Sequence, residues 1–145
     1  MDKGIIVHAV LFNGNREVLL IRRSLSEDTL PGLWDIPGGT LDDGEDPEEG
    51  AIRETKEETG IDIQNLSLFH YTSNIDRKKN KQFIRLIFIG VCNETNILLN
   101  KEDHDQHQWV SIDKIPINIK TVEYLPSLFA ILKKNSHHLV GYSQK

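Results

Sequence analysis

The residues of this chain whose types and spacing could do chemistry lie between Gly39 and Ile61, in the segment GTLDDGEDPEEGAIRETKEETGI. Set on a helix, Glu54, Glu57 and Glu58 fall at i, i+3 and i+4 and share one face. Three carboxylates then meet on one patch. Gly50 and Ala51 lie on or beside that face, where their small size lets another backbone or a ligand come close. A solvated acidic surface is the plain alternative, and two features weigh against it. Glu57 and Glu58 stand in the last turn before Gly60, where the helix dipole is negative and disfavours carboxylates. Glu54 and Glu58 also repel across i, i+4 by roughly 0.2–0.5 kcal/mol, and Arg53 is spaced to pair with Glu57 alone. A divalent cation would relieve the cluster. Ligation by oxygen, without His or Cys, suits a hard ion such as Mg²⁺ or Mn²⁺, and Mg²⁺ usually shares its shell with substrate phosphates. A phosphorylated substrate is therefore expected.

Several elements must position this face. Gly4 to Phe12 is rich in β-branched residues, Asn13-Gly14-Asn15 is a turn signal, and Glu17 to Arg22 resumes an apolar run, so the start of the chain reads as a β-hairpin. Ser24 to Trp34 lacks periodicity, and Pro31-Gly32 and Pro37-Gly38-Gly39 break the backbone pattern, which predicts a long loop. Asp46 then caps a helix with Pro47 at its first position and a glutamate spaced to close a capping box, and Gly60 ends it. Asp62 to Ser73 and Gln82 to Cys92 read as two strands. Between them the basic tip Arg77-Lys78-Lys79-Asn80-Lys81 reads as a solvated hairpin end, because no aromatic residue interleaves with the charges. Asn93 to Gln108 is expected to be polar loop and Trp109 to Ile112 a short strand. Thr121 to Lys134 is expected to be an amphipathic helix burying Leu125, Leu128, Phe129 and Leu132. The whole chain, 1–145, reads as one domain with a loosely held tail from about Asn135.

Composition narrows the function. A length of 145 residues with 38% hydrophobic content suffices for one core. With 22 acidic against 17 basic residues the charge is −5, which argues against a protein that coats a nucleic-acid polymer. The longest apolar runs, around Ile5 to Phe12 and Ile84 to Val91, contain His8 and Arg85 and fall short of the roughly 18 residues that span a bilayer. With no signal-peptide pattern at the start, a cytoplasmic location is the expectation. Cys92, the single cysteine, sits among Phe88, Ile89 and Val91 and reads as a buried thiol.

The acidic segment also resembles the signature of the Nudix hydrolases, Gly-x5-Glu-x7-Arg-Glu-U-x-Glu-Glu-x-Gly-U, where U is usually bulky and aliphatic. Gly39, Glu45, Arg53, Glu54, Glu57, Glu58, Gly60 and Ile61 stand in register with it. Pro31-Gly32-x-Trp34-x-x-Pro37-Gly38-Gly39 before the box and Trp109-Val110 after it are similar to stretches common in that family. The resemblance implies an α/β/α sandwich with a mixed β-sheet. It also implies an enzyme of the MutT-like kind, which hydrolyses a nucleoside diphosphate linked to another moiety with Mg²⁺ or Mn²⁺. By position, Glu57 and Glu58 would be metal ligands, Glu54 a ligand or the general base, and Arg53 and Glu45 residues that orient the carboxylates beside Gly39. The Gly38 carbonyl would complete the coordination. Relatives often pair into homodimers.

Two departures from the pattern stand out. Thr55 replaces an aliphatic residue, so its hydroxyl needs a partner, for which the carbonyl one turn back is the candidate. Gln106 stands roughly where many relatives carry a further glutamate, which leaves Glu102, Asp103, Asp105, His104 or His107 as substitutes and the general base open. Arg22 or Arg23 could grip a phosphate, Trp34 or Trp109 could stack on a base, and His8 reads as a core histidine. The substrate implied is a (deoxy)nucleoside triphosphate, released as monophosphate and pyrophosphate. ADP-ribose or a dinucleoside polyphosphate is the alternative, although Asp76 and Arg77 occupy the places where those branches carry marker residues. A non-catalytic nucleotide-binding module is the third reading, and it has no physical need for three mutually repelling carboxylates. Glu57→Gln is expected to abolish metal-dependent turnover and leave the circular dichroism spectrum intact; hydrolysis at the unsubstituted rate would sink the metal assignment.

Overall fold

The computed structural model describes residues 1–135, so the tail expected to be loosely held lies almost wholly outside the described residues. Among them are seven strands and two helices. β1 (Asp2–Phe12), β2 (Glu17–Arg23), β3 (Trp34–Asp35) and β4 (Gly38–Thr40) precede α1 (Pro47–Thr59); β5 (Ser67–Asp76), β6 (Lys81–Val91), β7 (His104–Ser111) and α2 (Leu125–Lys134) follow. The strands form one mixed sheet of order β3-β2-β1-β6-β5, with β4 added against β1 and β7 against β2. β1 runs parallel to β6 along its whole length, and the other pairings are antiparallel.

Alternation along the central strands divides the core in two. Val7, Ala9 and Leu11 of β1, Leu19 of β2 and Phe88 of β6 pack towards Ala51 of α1. Val10 and Phe12, Val18 and Leu20, and Ile87 and Ile89 pack towards Leu125, Leu128, Phe129 and Leu132 of α2. A sheet apolar on both faces needs a cover on each, and the two helices make the sandwich. Cys92 is buried beneath α1 as expected.

Asp46 caps α1 by accepting the Glu48 and Glu49 amides, and Gly60 closes it in the left-handed conformation at φ 76°. Four expectations shift. The opening hairpin stays paired only beside its turn, at Phe12 and Val18, because beyond that point β1 pairs with β4 and β2 with β3. Ile61, Ile63 and Leu66 alternate like a strand but pack as coil under the sheet, and β5 starts at Ser67. The polar stretch from His104 to Gln108 is not loop but the first part of β7, because its backbone pairs with β2 while several of its side chains stay exposed. α2 begins at Leu125 rather than Thr121, since the backbone around Thr121 and Val122 is drawn out to pair with Trp34.

Leu128 is 1% exposed at the centre of the α2 face. Leu128→Ala should cost roughly 2–5 kcal/mol of unfolding free energy, read from the denaturant midpoint, without changing the number of transitions.

Candidate active site

The glutamates of α1 converge as their spacing predicts, and the side chain that organises them is Arg53. Its Nε donates to Glu45 Oε2 at 2.7 Å and its Nη2 to Glu45 Oε1 at 2.9 Å, a two-pronged grip on the loop before the helix. Nη1 reaches Glu54 at 2.9 Å and Glu57 at 3.3 Å, and Nη2 also donates to the Thr40 carbonyl at 3.2 Å. Arg53 therefore neutralises two of the three clustered glutamates, where helix spacing alone assigned it one. These bonds hold the Glu45 carboxyl down at about 2, with the Asp42 amide adding to the effect.

Each glutamate has a different setting. Glu57 is the most open, with 57% of its side chain exposed. Glu54 lies against Gly39, where any Cβ would fall inside its carboxyl group, and burial raises its pKa despite Arg53. Glu58 is met on both oxygens: Oε1 accepts the Gly38 amide at 2.7 Å, and Oε2 faces the Nδ1 of His104 at 3.5 Å. Burial pushes the Glu58 carboxyl up to about 8, opposed by the Gly38 amide and reinforced by Glu54, Asp35 and Asp103. Gly50 admits the Leu41 and Glu45 side chains, so its small size serves packing within the chain.

A cavity of about 800 Å³ opens beside Gly38 and Gly39. Its wall carries a polar cluster that sequence spacing does not disclose, because its members come from five separate elements. Asp35 accepts a hydrogen bond from Tyr124, whose hydroxyl also lies 3.3 Å from His8 Nδ1. Arg85 stacks over the Tyr124 ring at 5.0 Å and donates to Asn74 at 2.9 Å, and its Nε is buried without a partner. Burial lowers the His8 pKa and, with Asp35, lifts that of Tyr124 well above its ordinary range. His8 is buried as expected, yet its ring also lines the cavity. The one sequence signal for this cluster was a charged Arg85 and a His8 inside otherwise apolar strands.

The remaining candidates are placed as follows. Arg22 is clamped by Asp105 through two bonds of 2.8 Å, which lowers the Asp105 pKa, so these two candidates satisfy each other. Arg23 lines the cavity while its Nε donates to the Thr29 carbonyl at 2.7 Å. Trp34 is packed into the core on the α2 side, and Trp109 packs on the α1 side. Gln106 is exposed on β7 opposite Arg22, and it is His104 from the same stretch that reaches Glu58. Thr55 is fully buried, and its hydroxyl finds no partner; the hydroxyl that bonds one turn back is that of Thr59, to the Thr55 carbonyl at 2.7 Å.

The donor chemistry fits a divalent cation. Three carboxylates stand together, Glu54 and Glu58 are destabilised as anions by burial, and a covered His104 nitrogen lacks a partner. Arg53 and the Gly38 amide now hold the carboxylates, and among the described residues no three acidic or imidazole groups are drawn to ligand spacing.

A mixed sheet between two helices, with a glutamate-bearing helix face beside a cleft of about 800 Å³, defines a Nudix-type sandwich. The model of the NUDIX domain matches residues 2–128, and the chain belongs to the Nudix family, whose members use a divalent metal such as Mg²⁺. The MutT protein of Methanosarcina mazei Go1 superposes with a TM-score of 0.80 at 30% identity, covering 93% of this chain and 96% of that one. The asymmetrical bis(5'-nucleosyl)-tetraphosphatase of Caenorhabditis elegans is 29% identical over 96% of both chains. A putative 8-oxo-dGTP diphosphatase of Bacillus subtilis is 32% identical over 74% of this chain and 66% of its own length. Against Nudix hydrolase 2 of Arabidopsis thaliana, the chain spans 37% of the relative's length. Among the described residues, no helix is long and apolar enough to cross a membrane.

Because the folded-state pKa of Glu58 lies above its ordinary value of 4.5, folding favours its protonated form, and that contribution is lost as pH rises towards about 8. In chelator, the melting temperature should therefore fall across this window, and Glu58→Gln should flatten the decline. Parallel profiles for the two proteins would contradict the burial assigned to Glu58.

Proposed function

We propose that this protein is a Mg²⁺- or Mn²⁺-dependent pyrophosphohydrolase that cleaves the phosphoanhydride of a nucleotide. The substrate class we assign is a (deoxy)nucleoside triphosphate, yielding monophosphate and pyrophosphate. The observation that carries the reading is the gathering of Glu54, Glu57 and Glu58 on α1 behind Gly38 and Gly39, two residues that line a cavity large enough for a nucleoside. The resemblance to a putative 8-oxo-dGTP diphosphatase supports the triphosphate class. The likeness to a dinucleoside tetraphosphatase over nearly the whole of both chains supports a dinucleoside polyphosphate as the second reading.

In this mechanism Glu57 and Glu58 would hold the cation, and the Gly38 carbonyl would add a neutral oxygen. When bound, the cation neutralises charge on the phosphoryl oxygens and lowers the pKa of water. Glu54 is a further ligand or the group that takes the proton from the attacking water, and its raised pKa suits the second role. Arg53 keeps Glu54 and Glu57 in place and Glu45 ties the preceding loop to the helix, so the carboxylates meet the substrate already oriented. Gly38 and Gly39 let β4 pass close against His8 and Glu54, with which side chains there would collide. Arg85 and Asn74 offer donors to the nucleoside in the cavity.

The test is hydrolysis by purified protein with Mg²⁺ or Mn²⁺. The panel is nucleoside triphosphates including oxidised forms, ADP-ribose, nucleotide sugars and dinucleoside polyphosphates, with products separated by chromatography. Turnover of triphosphates to monophosphate and pyrophosphate, lost in chelator, is expected. Preference for dinucleoside polyphosphates would replace the first substrate class by the second. Silence across the panel from folded protein would overturn the enzymatic reading.

A further inference from the structure

Among the described residues, His104 is the one imidazole that meets the glutamate face, and hydrogen bonds fix the turn that carries it. The turn before it is pinned by the Ser24 amide to the Asp103 carbonyl at 2.8 Å, the Ser24 hydroxyl to the Lys101 carbonyl at 2.8 Å, and its own amide to the Asn100 carbonyl at 2.9 Å. A bulge in the β2–β7 pairing, between Arg22 and Arg23, sets it opposite Arg23. Its side chain is 6% exposed, and Nδ1 is covered yet makes no hydrogen bond. A covered ring nitrogen is costly to leave unmatched.

That nitrogen stands 3.5 Å from Glu58 Oε2, at the outer limit of a hydrogen bond. Two donors that each ligate one ion at roughly 2.0–2.3 Å stand about 3–4 Å apart, so the spacing suits a shared ion. The charges around the pair agree. Glu54, Asp35 and Asp103 bear on Glu58, and Asp103, Asp35 and Asp105 bear on His104 with Arg23 as the opposing cation.

We propose that His104 is a nitrogen ligand of the divalent cation, completing with Glu58 a mixed nitrogen and oxygen site in place of an all-carboxylate one. The assignment rests on the reading that the α1 glutamates hold a cation. It gives the stretch around Gln106 a function in spite of its missing glutamate. It also tilts the site towards transition ions over Mg²⁺, because imidazole is a softer donor than the oxygen ligands that suit Mg²⁺.

The test is electron spin-echo modulation of the full-length protein loaded with Mn²⁺, paired with calorimetric titration of Mn²⁺ and Mg²⁺. The unsubstituted protein should show ¹⁴N modulation that changes on ¹⁵N-histidine labelling. His104→Gln should remove it and weaken Mn²⁺ binding by about tenfold or more, in line with losses seen when groups supporting a metal site are removed. His104→Glu should bind Mn²⁺ without the nitrogen signal and narrow the preference for Mn²⁺ over Mg²⁺. Bound Mn²⁺ without nitrogen modulation in the unsubstituted protein would overturn the role of His104 and leave the glutamates as ligands. No Mn²⁺ binding at all would overturn both readings. The spectrum of the unsubstituted protein decides between these outcomes even if a variant fails to fold.

Discussion

Arg53 presents five donors in one rigid plane, and the candidate site is built around where they go. Two grip Glu45, others reach Glu54, Glu57 and the Thr40 carbonyl, and Asp42 lies 3.5 Å away. Isolated surface ion pairs contribute little, but a fork shared among several acceptors fixes geometry as well as charge. Without that guanidinium, Glu45, Glu54 and Glu57 would repel one another, and the loop from Thr40 to Glu45 would lose its attachment to α1. The same bonds lower the Glu45 carboxyl, whereas Glu54 and Glu58, equally enclosed but with fewer donors to offset burial, are pushed the other way. One cation thus serves as scaffold, and its carboxylate partners retain unequal basicity.

The sheet converts this local arrangement into a cleft. β1 carries one set of side chains to α1 and the other to α2, and β4 lies against it with Gly39 opposite Val7 and Gly38 opposite His8. The two glycines are therefore the seam between the glutamate face and the cavity. On one side Glu54 occupies the space over Gly39; on the other His8 occupies the space over Gly38. Beyond it, Asp35, Tyr124, Arg85 and Asn74 form a polar wall in which burial and mutual charge set the protonation of Tyr124 and His8. On the function proposed above, the glutamate face would serve phosphate hydrolysis and the wall would meet the nucleoside.

Short-range features of the chain were the most legible. Asp46, Pro47 and Gly60 act on the backbone within a turn of themselves, so the bounds of α1 could be read directly. The convergence of Glu54, Glu57 and Glu58 follows from helical spacing. Failures came where an element's state depends on a distant partner. His104 to Gln108 is polar and lacks strand alternation, yet pairing with β2 makes it strand. Thr121 and Val122 continue a helical pattern, yet Trp34 draws them out. Trp34 and Trp109 were open to a stacking role until packing on opposite faces of the sheet took up both rings.

The sequence by itself determined the acidic helix face, its caps, its Arg53 partner and the family resemblance, because all of these are carried by spacings within about two dozen residues. Tertiary structure decided which residues from outside that segment meet it. His104 comes to Glu58, Arg22 and Asp105 satisfy each other, and Asp35, Tyr124, Arg85 and His8 assemble into one wall. Tyr124 and His8 are separated by 116 residues, and no local periodicity records such a distance. What brings them together is burial of both faces of the sheet, which obliges α2 to pack across β1 and β6 and carries Tyr124, at its N-terminus, to the mouth of the cleft.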